Sequence, residues 1–334
     1  MTMIQTRRRF LTTLSMAGAA GLMRVPQLRA AEGSLETTSV RLFKYPGICI
    51  APHHIAEDLL RAEGFTEICY VPEDPARRPE ALARAKVDFG MDFATSWVST
   101  IDRSAGISLL SGVHVGCFEL RASGAIRGIS DLKGKNVGIR GLGESEHLFL
   151  AVMATQVGID PTKDIHWVID QPSRLVELFT GGKIDAFLAF PPDTQDLSAR
   201  RIGNVVVKSA SDRPWSQYFC CMLAGNRDFM REHPIATKHV VRALLKAADI
   251  CVTDPARVAR ILVDGGFTPR YDYALQMLSE LPYDKWREYD PEDTIRFYAL
   301  RLREAGLIKS SPQKIISDGT DWRFLNELKR ELKA

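Results

Sequence analysis

The chain has 334 residues, 45% of them hydrophobic and 25% charged, with a formal net charge of +3. That length and apolar share are enough for two cores. The five arginines of residues 1–30, where no acid occurs, leave 39 basic against 41 acidic side chains, a net charge of −2; the remainder therefore lacks the footprint of a nucleic-acid binder.

The N-terminus reads as an export signal. Thr6-Arg7-Arg8-Arg9-Phe10-Leu11 fits the twin-arginine pattern, and Thr12 to Met23 is a mildly apolar run too short to span a membrane. Arg24 and Arg29 place positive charge near the cleavage region, with cleavage expected after about Ala30. This predicts a periplasmic protein and the twin-arginine translocase as a transient partner. Such cargo folds before export in a reducing compartment, so the six cysteines (Cys49, Cys69, Cys117, Cys220, Cys221 and Cys251), which show no C-x-x-C spacing, are expected mostly as buried thiols acting as small apolar residues.

After a polar lead-in, Val40–Lys44 is expected as a strand, followed by a Tyr45–Pro52 loop and a helix near His53–Ala62 that Gly64 stops. Strand Glu67–Val71, a short helix at Pro79–Ala85, strand Val87–Met91, a loop Asp92–Ser96, a helix Ser96–Arg103 and strand Ile107–Val115 complete a doubly wound β-α-β-α-β unit. Cys117–Ala122 leaves that unit as a crossover strand, expected to run side by side with the returning strand Tyr218–Ala224 as the hinge. Ile129 to Gly158 then reads as a turn at Gly134, a buried strand Asn136–Ile139, a Gly141-Leu142-Gly143 loop, and a helix from Ser145 that is apolar almost all round. Strand Ile165–Val168, helix Ser173–Thr180, strands Ala186–Ala189 and Val205–Val207, and a returning strand Tyr218–Ala224 follow. Beyond residue 224 the pattern is helical, with apolar stripes at Val240, Leu244, Ala247 and Cys251 and at Trp322, Leu325, Leu328 and Leu332.

Four stretches together resemble a known family. "ISDLKGKNVGI" (129–139) resembles the linker and strand of periplasmic substrate-binding proteins of ABC importers, of the nitrate/sulfonate/taurine type, which share their fold with the thiamine-pyrimidine synthases. "ALARAKVDFG" (81–90), "AGISLLSGV" (105–113) and "GGKIDAFLA" (181–189) resemble further pieces in the same order, over roughly Val40 to Ala224. The resemblance implies an α/β fold of two doubly wound lobes joined by two crossover strands. Residues 36–118 and 223–334 would form lobe 1, its helical C-terminal part packed on it, and residues 119–222 lobe 2. It further implies a small-molecule ligand in the cleft, which the aromatic residues at strand ends favour as organic rather than a bare ion, an ABC permease and ATPase complex as partner, no cofactor and no covalent chemistry. The alternative is an enzyme like the thiamine-pyrimidine synthases. In those a longer Cys run is associated with iron; here the run is only Phe219-Cys220-Cys221-Met222, best read as strand residues pointing to opposite faces.

The loops after strand ends carry the expected site: Tyr45–His53, Asp92–Trp97, Gly141–Ser145 and Phe190–Asp193. Tyr45, Phe93, Trp97, Phe190 and Trp215 fall where aromatics would face the cleft and could stack on a planar ligand. Trp97 or Phe93 is expected as the stacking surface, with Asp92, Thr95, Ser96, Gly141 and Ser145 beside it and His53 and Glu144 as charged contacts. Glu144 and Glu146 complement the helix dipole and partly fill the anion site at that helix end, while Arg140 could restore positive potential there. His53-His54 and Glu57-Asp58 place His and acid at i,i+4 twice, a spacing metals can use, but no third ligand is visible and no metal is expected.

Overall fold

In the computed structural model, which describes residues 33–44, 46–104 and 106–332, the strands sort into two five-stranded mixed sheets. The twin-arginine segment and Tyr45 lie outside the described residues. Sheet 1 has the order β2 (Glu67–Pro72), β1 (Ser39–Lys44), β3 (Phe89–Phe93), β10 (Phe219–Asn226), β4 (Ile107–Val115). Sheet 2 has the order β7 (His166–Ile169), β6 (Asn136–Ile139), β8 (Ala186–Ala189), β5 (Glu119–Ala122), β9 (Asn204–Lys208). In each sheet one strand runs antiparallel to both neighbours: β10 in sheet 1 and β5 in sheet 2. These are the strands the chain enters after crossing from the other sheet.

The residue patterns explain the layering. β4 and β10 are buried at every position, so both faces of these strands are covered, including the polar Ser108, Ser111, His114 and Asn226. The helix Ser145–Gln156 is buried from Ser145 to Ala154, consistent with its nearly continuous apolar sequence. Phe149 on that helix meets Phe93 of sheet 1, Phe118 of the crossover and Tyr298 of the helix Pro291–Glu304, so aromatic packing ties both sheets to the C-terminal helices. The 20-residue helix Pro234–Thr253 packs on the short helices Ala51–His54 and Glu57–Ala62, and Leu35–Ala334 form one compact unit.

Three expectations are corrected. The helix expected over His53–Ala62 is interrupted at Ile55 and Ala56, so the two His–acid pairs do not share one helix. Asp193–Ala199 is a helix that begins at the end of the expected Phe190–Asp193 loop and that no apolar stripe marks, since Leu197 is its one strongly apolar residue. The crossover segments Cys117–Ala122 and Tyr218–Ala224, expected side by side, instead pair within different sheets, β5 with β8 and β9, β10 with β3 and β4. The actual crossing contact is one step earlier. The Ser209 N–H donates to the Phe118 carbonyl (3.0 Å), and Ser209 Oγ accepts from the Cys117 and Phe118 N–H groups (3.2 and 3.0 Å). Gly116 permits this: its φ is +67°, and a Cβ there would lie 2.4 Å from the Ala210 backbone.

Candidate functional site

A cavity of about 340 Å³ lies between the carboxyl ends of strands from both sheets. Sheet 1 and its loops contribute Pro46, Gly47, Cys49, Ile50, Arg78, Met91, Asp92, Phe93 and Cys221; sheet 2 and its loops contribute Arg140, Glu146, Pro172, Leu175, Phe187, Leu188, Phe190, Pro191 and Asp193. The position follows from topology, since the ends of parallel strands in open α/β sheets leave a crevice with loops on either side. The wall is largely apolar. Phe93 and Phe190 approach across the gap with ring centroids 5.2 Å apart.

The polar groups form two self-compensating pairs. Arg78, itself buried, places Nε 3.5 Å from Asp92 Oδ2, and the Phe93 N–H donates to Asp92 Oδ1 (2.7 Å). Arg140 Nε lies 2.7 Å from Glu146 Oε1 and 3.6 Å from Glu144 Oε2, and its Nη2 donates to Ser145 Oγ (3.1 Å). Burial raises the Asp92 carboxyl above its ordinary range against the pull of Arg78, the Phe93 N–H and Arg140. Burial likewise raises Asp193, reinforced by Asp196, and raises Glu144 against the pull of Arg140. Two arginines thus face three carboxylates in the cavity wall, so the site is not an open anion hole.

Of the residues expected at the site, Asp92, Phe93 and Phe190 line this cavity. The Tyr45–His53 loop reaches it through Pro46, Gly47, Cys49 and Ile50. Ser96, Glu144 and Ser145 instead line a small adjoining pocket of about 50 Å³, separated from the main cavity by Arg78, Asp92 and Arg140, which border both. Gly141 lies beside Glu144 without lining either cavity, and the sequence neighbours Arg140 and Glu146 take the place expected of the Gly141–Ser145 loop.

Thr95, Trp97 and His53 are fully buried away from the cavity. The Trp97 indole N–H donates to the Met222 carbonyl (2.9 Å), which places Trp97 in the core rather than at a stacking surface. His53 Nε2 lies 2.7 Å from the Phe43 carbonyl oxygen, which can only accept, so this nitrogen carries the proton and the ring serves packing rather than a charged contact. Trp215 is buried against Phe297. Arg78, Phe187, Leu175 and Pro172 were not anticipated; no local pattern marks Arg78, and Phe187 is hidden inside an apolar strand run.

The chain resembles solved periplasmic binding proteins in fold. The periplasmic nitrate-binding protein NrtA from Synechocystis PCC 6803 superposes with a TM-score of 0.70 at 13% identity, covering 90% of each chain. The alkanesulfonate-binding protein SsuA from Xanthomonas axonopodis pv. citri, bound to MOPS, gives 0.67 at 17% identity over 83% of this chain and 96% of that one. In sequence, the 4-amino-5-hydroxymethyl-2-methylpyrimidine phosphate synthase THI5 of Saccharomyces cerevisiae is 22% identical over 257 residues, 71% of this chain and 72% of its own length. The family described as NMT1/THI5 like matches residues 63–258, well over half of the chain, and the chain belongs to that family.

Proposed function

We propose that this protein is the solute-binding component of an ABC import system, holding a small organic molecule in the cavity between the two sheets and presenting it to a membrane permease and its ATPase. The observation that carries the reading is the cavity itself, apolar and aromatic on both sides with a few converging polar groups, at the crevice where this fold places ligands. Residues 36–118 with 223–334 and residues 119–222 would act as two lobes, and ligand touching both would shift an open–closed equilibrium. The wall chemistry favours an organic solute with a planar or apolar body and a hydrogen-bond donor or positive group. Such a ligand can use Asp92, Glu146 or Asp193, whereas a bare inorganic anion would have to compete with those carboxylates for Arg78 and Arg140.

The test is a thermal-shift screen of the purified protein against sulfonates, aromatic acids, amines and pyrimidines. A true solute at ~100 times its dissociation constant adds about 2.7 kcal/mol of stability. Phe190→Ala is expected to weaken that solute by ~30-fold, about 2 kcal/mol, with little change in the apo melting temperature, because the ring is only half-buried. Isothermal titration of both forms reads this, and equal affinities would remove Phe190 from the site. Conversion of a pyrimidine precursor to product, instead of simple binding, would move the protein to the synthase reading.

The periplasm is part of the same proposal. Replacing Arg7 and Arg8 by Lys is expected to leave the precursor in the cytoplasm, measured by fractionation and blotting. Undiminished periplasmic protein would remove the twin-arginine route.

A further inference from the structure

The cysteines show no C-x-x-C spacing, yet the fold gathers four ligand-bearing side chains from three distant segments. Cys49 comes from the loop after β1, His114 and Cys117 from the end of β4 and the crossover, and Cys221 from β10. Their three sulfurs and a ring nitrogen of His114 all lie within 4.8 Å of one another. A tetrahedral ion with metal–sulfur bonds of about 2.3 Å and a metal–nitrogen bond of about 2.0 Å would hold such atoms roughly 3.4–3.8 Å apart, so small side-chain adjustments suffice.

We propose that Cys49, His114, Cys117 and Cys221 bind one thiophilic metal ion of the zinc class, in the wall of the main cavity.

Several features separate this group from four core residues that happen to meet. His114 is fully buried, and among the described residues neither ring nitrogen has a hydrogen-bond partner beyond the thiols around it. An imidazole left so is costly unless something accepts its lone pair. The ladder between β10 and β4 is irregular at this point: Phe219 faces Val115 and Cys221 faces His114, so two steps on β10 match one on β4. Such a bulge re-aims side chains. Cys220 Sγ lies 3.2 Å from Cys117 Sγ, and Cys221 joins Cys117 in the cluster. Cys117 itself has φ of 149°, a conformation rarely taken by a residue with a side chain and often retained where function needs it.

The surroundings fix the donors. The Tyr283 hydroxyl donates to the Cys49 carbonyl (2.7 Å), and its ring stands edge-on 5.4 Å from His114. Ser209 Oγ accepts the Cys117 N–H. Contacts of this kind orient ligands around a metal. Three thiolates and an imidazole select zinc-class or cuprous ions over magnesium, calcium or manganese, and four protein donors close the coordination shell. The role is therefore structural, tying the β1 loop, the crossover and β10 together. Because Cys49 and Cys221 also line the cavity, the ion would hold two of its wall residues in place.

The test uses the full chain, reduced and stripped by chelation, titrated with Co²⁺ and then Zn²⁺, with no solute present, so its outcome is independent of the import reading. One Co²⁺ per chain with thiolate charge transfer and the intense visible bands of a tetrahedral ion is expected, displaced by one Zn²⁺. Cys49→Ser, at a half-buried position that tolerates the change, is expected to weaken binding by more than about 100-fold, and His114→Gln and Cys221→Ser likewise. Cys69→Ser and Cys251→Ala should bind as the parent does. Circular dichroism and apo melting temperature establish that each variant is folded; should the two buried substitutions fail to fold, Cys49→Ser decides. No stoichiometric tetrahedral spectrum, or one unchanged in folded Cys49→Ser, or one lost in Cys69→Ser or Cys251→Ala, overturns the proposal.

Discussion

Trp97→Ala should lower the stability of the protein by about 3–5 kcal/mol while leaving solute affinity in the surviving folded protein nearly unchanged. The indole is fully buried on the helix Ala94–Arg103, and its N–H donates to the Met222 carbonyl of strand β10. Truncation leaves a large void that close-packed neighbours fill only in part, and it strips one hydrogen bond from a buried carbonyl. Helix Pro291–Glu304 and β10 both pack on this helix, so the void sits where three layers meet and cannot collapse from one side. In a chain of this size the loss corresponds to a fall in melting temperature on the order of 10 °C. Trp97→Phe, which keeps most of the volume, should recover more than half. The measurement is thermal or urea unfolding of the three forms beside a ligand titration. An unchanged melting temperature with weakened solute binding would return Trp97 to the cavity wall.

Trp97 also shows where reading a sequence stops. The aromatic residue after a strand end was visible, but not its facing. β3 continues through Phe93 and the helix begins at Ala94, two residues before Ser96, where it was expected. Trp97 then stands a full turn from Phe93, directed under the sheet, while Phe93 at the strand's end keeps its place at the cavity. Strands were legible where β-branched or apolar runs are bounded by turns, as at Asn136–Ile139, Ile107–Val115 and Ala186–Ala189, whose bounds match. The interruption at Ile55–Ala56 was not, because neither residue breaks helices by itself. The cavity's charge pairs were half legible. Arg140 and Glu146 flank a recognisable glycine loop, whereas Arg78 and Asp92 are brought together only by the fold. The Cys49, His114, Cys117 and Cys221 group was hidden for the same reason: only His114 and Cys117 are neighbours in sequence, Cys49 and Cys221 reach them only through the fold, and the ladder between β10 and β4 is irregular where Cys221 meets His114.

His53 should make the protein acid-sensitive in the window between pH 6.5 and 4. Complete burial disfavours its imidazolium, the Arg78 guanidinium opposes a second positive charge, and the bond to the Phe43 carbonyl only partly compensates; together they push its pKa down to about 4. The neighbouring His54, its Nε2 on the Gly47 carbonyl and its ring stacked on Phe267, is also lowered, by burial and by His53. Tyr70, whose ring meets His53 edge-on at 6.0 Å, is raised by burial and stays neutral throughout this range. The sign follows from the unfolded chain, where histidine takes up its proton near pH 6.5. Above that pH neither state is protonated at His53 and its contribution is fully present. As pH falls, the unfolded state gains a proton that the folded state does not, so stability drops, and the loss levels off once pH passes below about 4. For His53 alone the difference approaches about 3 kcal/mol. Other groups titrate in the same range, so the informative quantity is the difference between the protein and His53→Gln, whose amide can still donate to the Phe43 carbonyl. Urea unfolding from pH 7.0 down to about 4.5 should show the parent losing its advantage over His53→Gln along this curve. A gap between the two that stays constant with pH would mean that His53 titrates alike in the folded and unfolded protein and that its burial carries no titrating strain.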